Sequence, residues 1–146
     1  MSERRVLDFA SIQEIMPEVD RLLSGYKPLG TWTLGQTCNH LAKAIRYSAD
    51  SPAATEPATR EHEMIRTRFF RGRFPDNRPA PEGMIPRPDL EDAAEVEKLR
   101  EAIERFKLAS GAGPLHPVIG PLTHEDWERF HCMHAAHHLG FKAPIS

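Results

Sequence analysis

Cysteine is nearly absent from this chain: Cys38 and Cys132 are the two among 146 residues. Two thiols, each inside a helical pattern, build no disulfide framework, so the core must hold the fold, and a soluble chain in a reducing, cytoplasmic setting is expected. No apolar run approaches the ~18 residues of a membrane span, and none follows the charged start Met1-Ser2-Glu3-Arg4-Arg5, so neither a membrane helix nor a secretory leader is expected. An excess of one charge is lacking too. Lys and Arg number 19 against 21 Asp and Glu, a net charge of −2, which leaves no global field to draw in nucleic acid or an anionic membrane. Sustained period-two alternation, internal repeats and low-complexity tracts are also missing, which argues against a sheet architecture or a repeat array.

What is present is helical periodicity. Ile12, Ile15, Met16, Val19, Leu22 and Leu23 mark a helix over Ser11–Leu23, in which Pro17 should kink the helix or move its start, and Gly25 stops it. Thr33-Leu34-Gly35-Gln36 has capping-box form and opens a helix to about Ala49, with Leu34, Cys38, Leu41 and Ile45 as its apolar stripe. A shorter helix is expected over Thr59–Phe70. A long one starts near Asp89, carries Val96, Leu99, Ile103 and Phe106, and ends at Gly111 and Gly113. The last opens at Thr123, with Asp126 at the reciprocal capping position. Seven of the 13 prolines lie between Pro52 and Pro88, so Arg71–Pro88 reads as a long loop. The expectation is one all-α domain over 1–146: a four-helix bundle with a short extra helix and a long Pro-rich loop.

Four of the eight histidines fall in His131-Cys132-Met133-His134-Ala135-Ala136-His137-His138. His134 and His138 are four apart, so on a helix their Cβ atoms stand about 5–6 Å apart on one face, where two imidazoles can share a metal ion. His40, mid-helix and two turns in from the Thr33 cap, is the best third ligand from a facing helix. His131 and His137 compete for a place in the set. His131, His134 and His138 on one straight stripe span roughly 10 Å, too far for all three to reach one ion. Three imidazoles and an open position suit a catalytic zinc site, and nickel, iron or manganese accept the same donors. The pair resembles the H-E-x-x-H pattern in spacing, but Ala135 stands where the general-base Glu would be. A base would have to come from elsewhere, with His131, Glu63 and Asp126 as alternatives. Cys38 and Cys132 point about 200° away from His40 and His134 and read as small buried hydrophobes.

Two motifs carry a family resemblance. Thr31-Trp32-Thr33-Leu34-Gly35-Gln36-Thr37-Cys38-Asn39-His40-Leu41-Ala42 places a Trp and a Gln before a helix bearing N-H-L. Leu115-His116-Pro117-Val118-Ile119-Gly120-Pro121-Leu122-Thr123 leads through Trp127 to His134-Ala135-Ala136-His137-His138-Leu139. Together they resemble the DinB/YfiT-like superfamily of metalloenzymes, within one of its groups of unknown function. The resemblance implies a DinB-type four-helix bundle, often a homodimer. It also implies a divalent metal on His40, His134 and His138, and, from some members, a thiol-dependent transferase or isomerase in which the metal lowers the pKa of a low-molecular-weight thiol. A Lewis acid with an open position can activate water as well, so a hydrolase or a thiol transferase is the expectation. Zinc or nickel are the first expectations for the metal. Leu139-Gly140-Phe141 departs from the Gln or Arg that related sequences often carry after the histidine pair.

The remaining signals are weaker. Arg60, Arg66, Arg68, Arg71, Arg73 and Arg78 outnumber Glu61, Glu63 and Asp76 locally, a surface for a carboxylate-bearing substrate or for phosphate, but no nucleic-acid motif accompanies them. Acidic residues from Asp89 to Glu97 suit a helix N-terminus. Trp32 and Trp127 are expected in the core. The class opposed to an enzyme is a non-catalytic metal-binding or partner-binding bundle, in which a fourth protein ligand, His131 or His62, would close the site.

Overall fold

Three threonines start three of the helices. In the computed structural model, which describes residues 4–72, 82–109 and 112–145, Thr33, Thr59 and Thr123 each accept the N–H three residues on. The side chains of Gln36, His62 and Asp126 return the bond to the threonine N–H. Each reciprocal box satisfies two amides that the helix leaves without partners, which sharply fixes where the helix begins. The helices so opened are α2 (Leu34–Asp50), α3 (Arg60–Arg71) and α5 (His124–Leu139). The helix α1 spans Ile15–Leu23 and α4 spans Asp92–Leu108.

Pro17 moves the start of α1. Residues Ile12–Glu14 form a 3-10 turn, and the α-helix begins at Ile15, so Pro17 falls in the first turn, where its missing N–H costs no helical bond. The helix α4 begins at Asp92, three residues later than the periodicity suggests. The Asp92 carboxylate accepts the Gly35 N–H at 2.7 Å, so one acidic side chain sits at the start of its own helix and at the positive end of α2.

The all-α expectation is corrected by four short strands. Among the described residues, β1 (Tyr26–Pro28) pairs antiparallel with β4 (Lys142–Pro144), and β2 (Ala112–His116) with β3 (Gly120–Thr123). Strands of three to five residues that contain Pro28, Pro114, Pro121 and Pro144 offer too few positions for alternation to register. Gly120 lies at φ +93°, and its missing Cβ leaves room for the His62 ring. The β1–β4 pair has structural weight: β4 follows α5 directly and ties its end to the segment after α1.

The core fills the space between these helices. Ile15, Val19 and Leu22 of α1, Leu34, Leu41 and Ile45 of α2, Val96, Leu99, Ile103 and Phe106 of α4, and Trp127 and Leu139 of α5 are all buried. The most extensive packing joins α2 and α4. In contrast, α3 buries no residue fully and rests on α5 through Phe69 stacked on Phe130 and through Arg66 on Asp126. Of the expected loop over Arg71–Pro88, residues 73–81 lie outside the described ones, and Glu82–Met84 form a 3-10 turn. Among the described residues, no helix is long and apolar enough to cross a membrane.

Candidate metal centre

The helices α2 and α5 bring His40, His134 and His138 together. One ring nitrogen from each lies within 4.8 Å of the other two. Nε2 of His40 stands 2.9 Å from Nε2 of His134. Two nitrogens bound to one ion at about 2.0–2.1 Å would themselves be roughly 3 Å apart, so this pair already has the spacing of two ligands. His138, one turn beyond His134, closes the triangle, its ring 4.6 Å from that of His40 and 4.8 Å from that of His134.

The tautomer of His40 follows from its other nitrogen. Nδ1 lies 2.9 Å from the carbonyl oxygen of Met84, which can only accept, so Nδ1 carries the proton and Nε2 presents a lone pair to the centre. Met84 lies in the 3-10 turn after the Pro-rich stretch, and Gln36 Nε2 donates to the Pro86 oxygen at 3.5 Å, which holds the same segment against α2. A backbone carbonyl leaves no mark in side-chain identity, so sequence reasoning missed it.

Burial keeps the rings neutral. His40 is 3% exposed and His134 6%, and His138 is half-buried. Desolvation is the main cause lowering the pKa of His40, which the Met84 bond raises and Lys43 lowers again. His134 falls well below its ordinary value, first through burial and then through His138 and His40. His138 is pushed down to about 2, again chiefly by burial. A metal needs deprotonated imidazole, and here no proton has to be displaced at neutral pH beyond the one shared between His40 and His134.

Trp32 belongs to this site and not to the core. It is half-buried, its ring stacks on His138 at 5.4 Å with 14° between planes, and it tilts against His40 at 5.1 Å. Trp127, by contrast, is 2% exposed, and its Nε1 donates to the Pro114 oxygen. Stacking on a ligand ring makes Trp32 a reporter. Nickel or cobalt in the centre should quench much of the tryptophan emission, and Trp32→Phe should remove most of that quenching while leaving metal uptake intact. Equal quenching in the variant would contradict this placement.

The alternative ligands are occupied elsewhere. Nε2 of His131 lies 2.7 Å from Ser48 Oγ, and its ring is enclosed by Phe106, Trp127 and Phe130. Burial pushes it down to about 3, which makes it a weak base at neutral pH, and it lies outside the group of converging ring nitrogens. The Ser48–His131 pair is buried, and among the described residues His131 Nδ1 has no hydrogen-bond partner to orient the ring, so the pair is not a nucleophile–base arrangement. His62 caps α3 through the Thr59 N–H. His137 turns its ring edge to Phe141 at 5.4 Å. Asp126 is committed to the α5 cap and to Arg66 at 3.3 Å, while Glu63 is exposed on α3. Both cysteines are buried free thiols, each pushed up to about 12 chiefly by burial, and neither joins the converging group of ligand atoms. Of the six arginines, Arg66 is tied to Asp126, and Arg73 and Arg78 lie outside the described residues.

The sequence family described as protein of unknown function (DUF1569) matches residues 1–145. The chain belongs to that family. No curated protein and no solved structure matches it. For this DUF1569 chain the chemistry must therefore be read from the site. It offers three neutral imidazoles from two facing helices, one with its tautomer fixed, and no fourth metal-binding side chain among the described residues.

Proposed function

We propose that this protein is a metal-dependent enzyme related to the DinB/YfiT-like superfamily, with α1, α2, α4 and α5 as its four-helix bundle. His40, His134 and His138 hold a divalent cation, with zinc or nickel preferred by the imidazole donors, and iron or manganese next. The observation that carries the reading is the converging trio with Met84 fixing His40 and no fourth protein donor among the described residues. A bound cation would supply Lewis acidity at its open position, lowering the pKa of a water or a small thiol there.

The chain's own residues do the rest. Met84 aims the His40 lone pair, burial keeps all three rings neutral, and Trp32 forms an aromatic wall against His138. Hydrolysis and thiol transfer both fit this arrangement. The test is a panel of activated esters and of electrophiles offered with small thiols, run on metal-loaded protein and on His134→Ala. Metal-dependent turnover confined to the loaded wild type supports the enzyme, and its partition between the two substrate sets decides the reaction type.

A second reading, a non-catalytic metal-binding bundle, is favoured by one observation. None of the candidate general bases is brought to the ligand rings among the described residues. Tight metal binding without turnover of any panel member would decide for it.

A further inference from the structure

The segment from Met84 to Asp92 runs as a strap along the first half of α2, and its fastenings there are one helical turn apart. The Met84 oxygen lies 2.9 Å from Nδ1 of His40, and the Pro86 oxygen accepts from Nε2 of Gln36 at 3.5 Å. Four residues of helix advance about 6 Å and two residues of extended chain about 6.5 Å, so alternate carbonyls of the strap meet residues one turn apart on a single helix face. Burial alternates to match: Met84 is half-buried, Ile85 exposed and Pro86 buried. Pro86 fixes its own φ and biases Ile85 towards extended backbone, which suits this register.

Gln36 is placed to hold that register. Its side chain is buried, and its amide is oriented from one end: Oε1 accepts the Thr33 N–H at 2.9 Å, which leaves Nε2 to face Pro86. Among the described residues Nε2 has no other partner, so losing the Pro86 oxygen would leave a buried donor unsatisfied. The strap is tied again at its far end, where the Asp92 carboxylate accepts the Gly35 N–H at 2.7 Å. Between that point and Met84, Gln36 is the one residue of α2 that bonds the strap among the described residues.

We propose that Gln36 is a positioning residue of the metal centre: by holding Pro86 it keeps the Met84 carbonyl on Nδ1 of His40, and so sets how tightly the trio binds its cation. This rests on the trio being a divalent-metal site. Gln36 supplies no ligand atom to the trio and acts through the strap. Its work divides between two atoms: Oε1 closes the capping box, and Nε2 holds Pro86. A partner that fixes the second nitrogen of a ligating histidine is typically worth about 10–100-fold in metal affinity, and a residue one step removed should fall at the lower end.

Gln36→Glu separates the two roles, because a carboxylate still accepts the Thr33 N–H and suits the first turn of a helix, but cannot donate to Pro86. Gln36→Met, neutral and of similar size, loses the strap bond with half of the box. Thr33→Ala loses the other half of the box and keeps the strap. Cobalt(II) titration followed by visible absorption should give about tenfold weaker binding in both Gln36 variants. Thr33→Ala should bind cobalt like the wild type, although its metal-free thermal midpoint falls. In the metal-free proteins, nitrogen NMR of the imidazoles should show His40 protonated at Nδ1 in wild type and Thr33→Ala, and a mixture of tautomers in the Gln36 variants. Wild-type cobalt affinity in both Gln36 variants overturns the proposal, as does an equal loss in Thr33→Ala, which would reduce Gln36 to a helix cap. A wild type that binds no cobalt identifies a different failure: the metal reading itself falls, and this inference with it.

Discussion

Between pH 7.5 and pH 5 the metal-free protein is expected to lose at least about 4 kcal/mol of folding stability. In the unfolded chain each imidazole takes up a proton near pH 6.5. In the folded chain His131 stays neutral to about 3 and His138 to about 2, both because they are buried. The unfolded form therefore binds more protons throughout this window, so stability is full above pH 6.5 and falls as pH falls. At pH 5 each of these two groups costs about 2 kcal/mol. His40 and His134, also lowered by burial, act in the same direction. Against a typical total of about 5–15 kcal/mol the loss is large. Ordinary carboxylates titrate near pH 4, below the window, so the histidines dominate it. Urea unfolding at a series of pH values measures the effect. A flat stability from pH 7.5 to pH 5 would mean that these rings are not buried and neutral as the structure has them.

Saturating zinc or nickel should raise the thermal midpoint by roughly 10 °C. A ligand that binds only the folded state stabilises it by RT ln(1 + [L]/Kd), about 4 kcal/mol at a thousandfold excess over Kd. For a chain of this size each kilocalorie moves the midpoint by about 2–4 °C. The three ligands come from α2 and α5, so an ion between them cross-links segments that are far apart in sequence. His134→Ala should abolish the shift. The same variant should also lose some stability without metal, because it removes a buried ring packed against Phe130 and His40. Comparing plus and minus metal within each variant separates the two effects. A shift that survives His134→Ala would place the metal elsewhere.

The parts of this site that follow from spacing were legible in the sequence. The four-residue interval singles out His134 and His138 on one helix and the position two turns past a threonine cap makes His40 the best third ligand, while spacing alone left His131 and His137 as competitors that the structure places elsewhere. The boxes at Thr33 and Thr123 formed as expected because Gln36 and Asp126 stand three residues on, and a third, at Thr59, uses His62 in a place the sequence reading did not mark as a box. Three features escaped for physical reasons. The Met84 carbonyl is backbone, reached through a Pro-rich stretch whose path depends on tertiary packing. Trp32 looked like core because an aromatic beside an apolar helix usually is, and only its stacking on His138 shows otherwise. The four strands were invisible because they are short and rich in proline.

The central claim is that His40, His134 and His138 bind one divalent ion together. Elemental analysis of untagged protein after brief dialysis, beside His40→Ala and His134→Ala, tests it most directly. The account predicts about one metal ion per chain in the wild type and none above background in either variant. Equal metal in all three proteins, or a wild type that takes up none when zinc or nickel is offered, would contradict it.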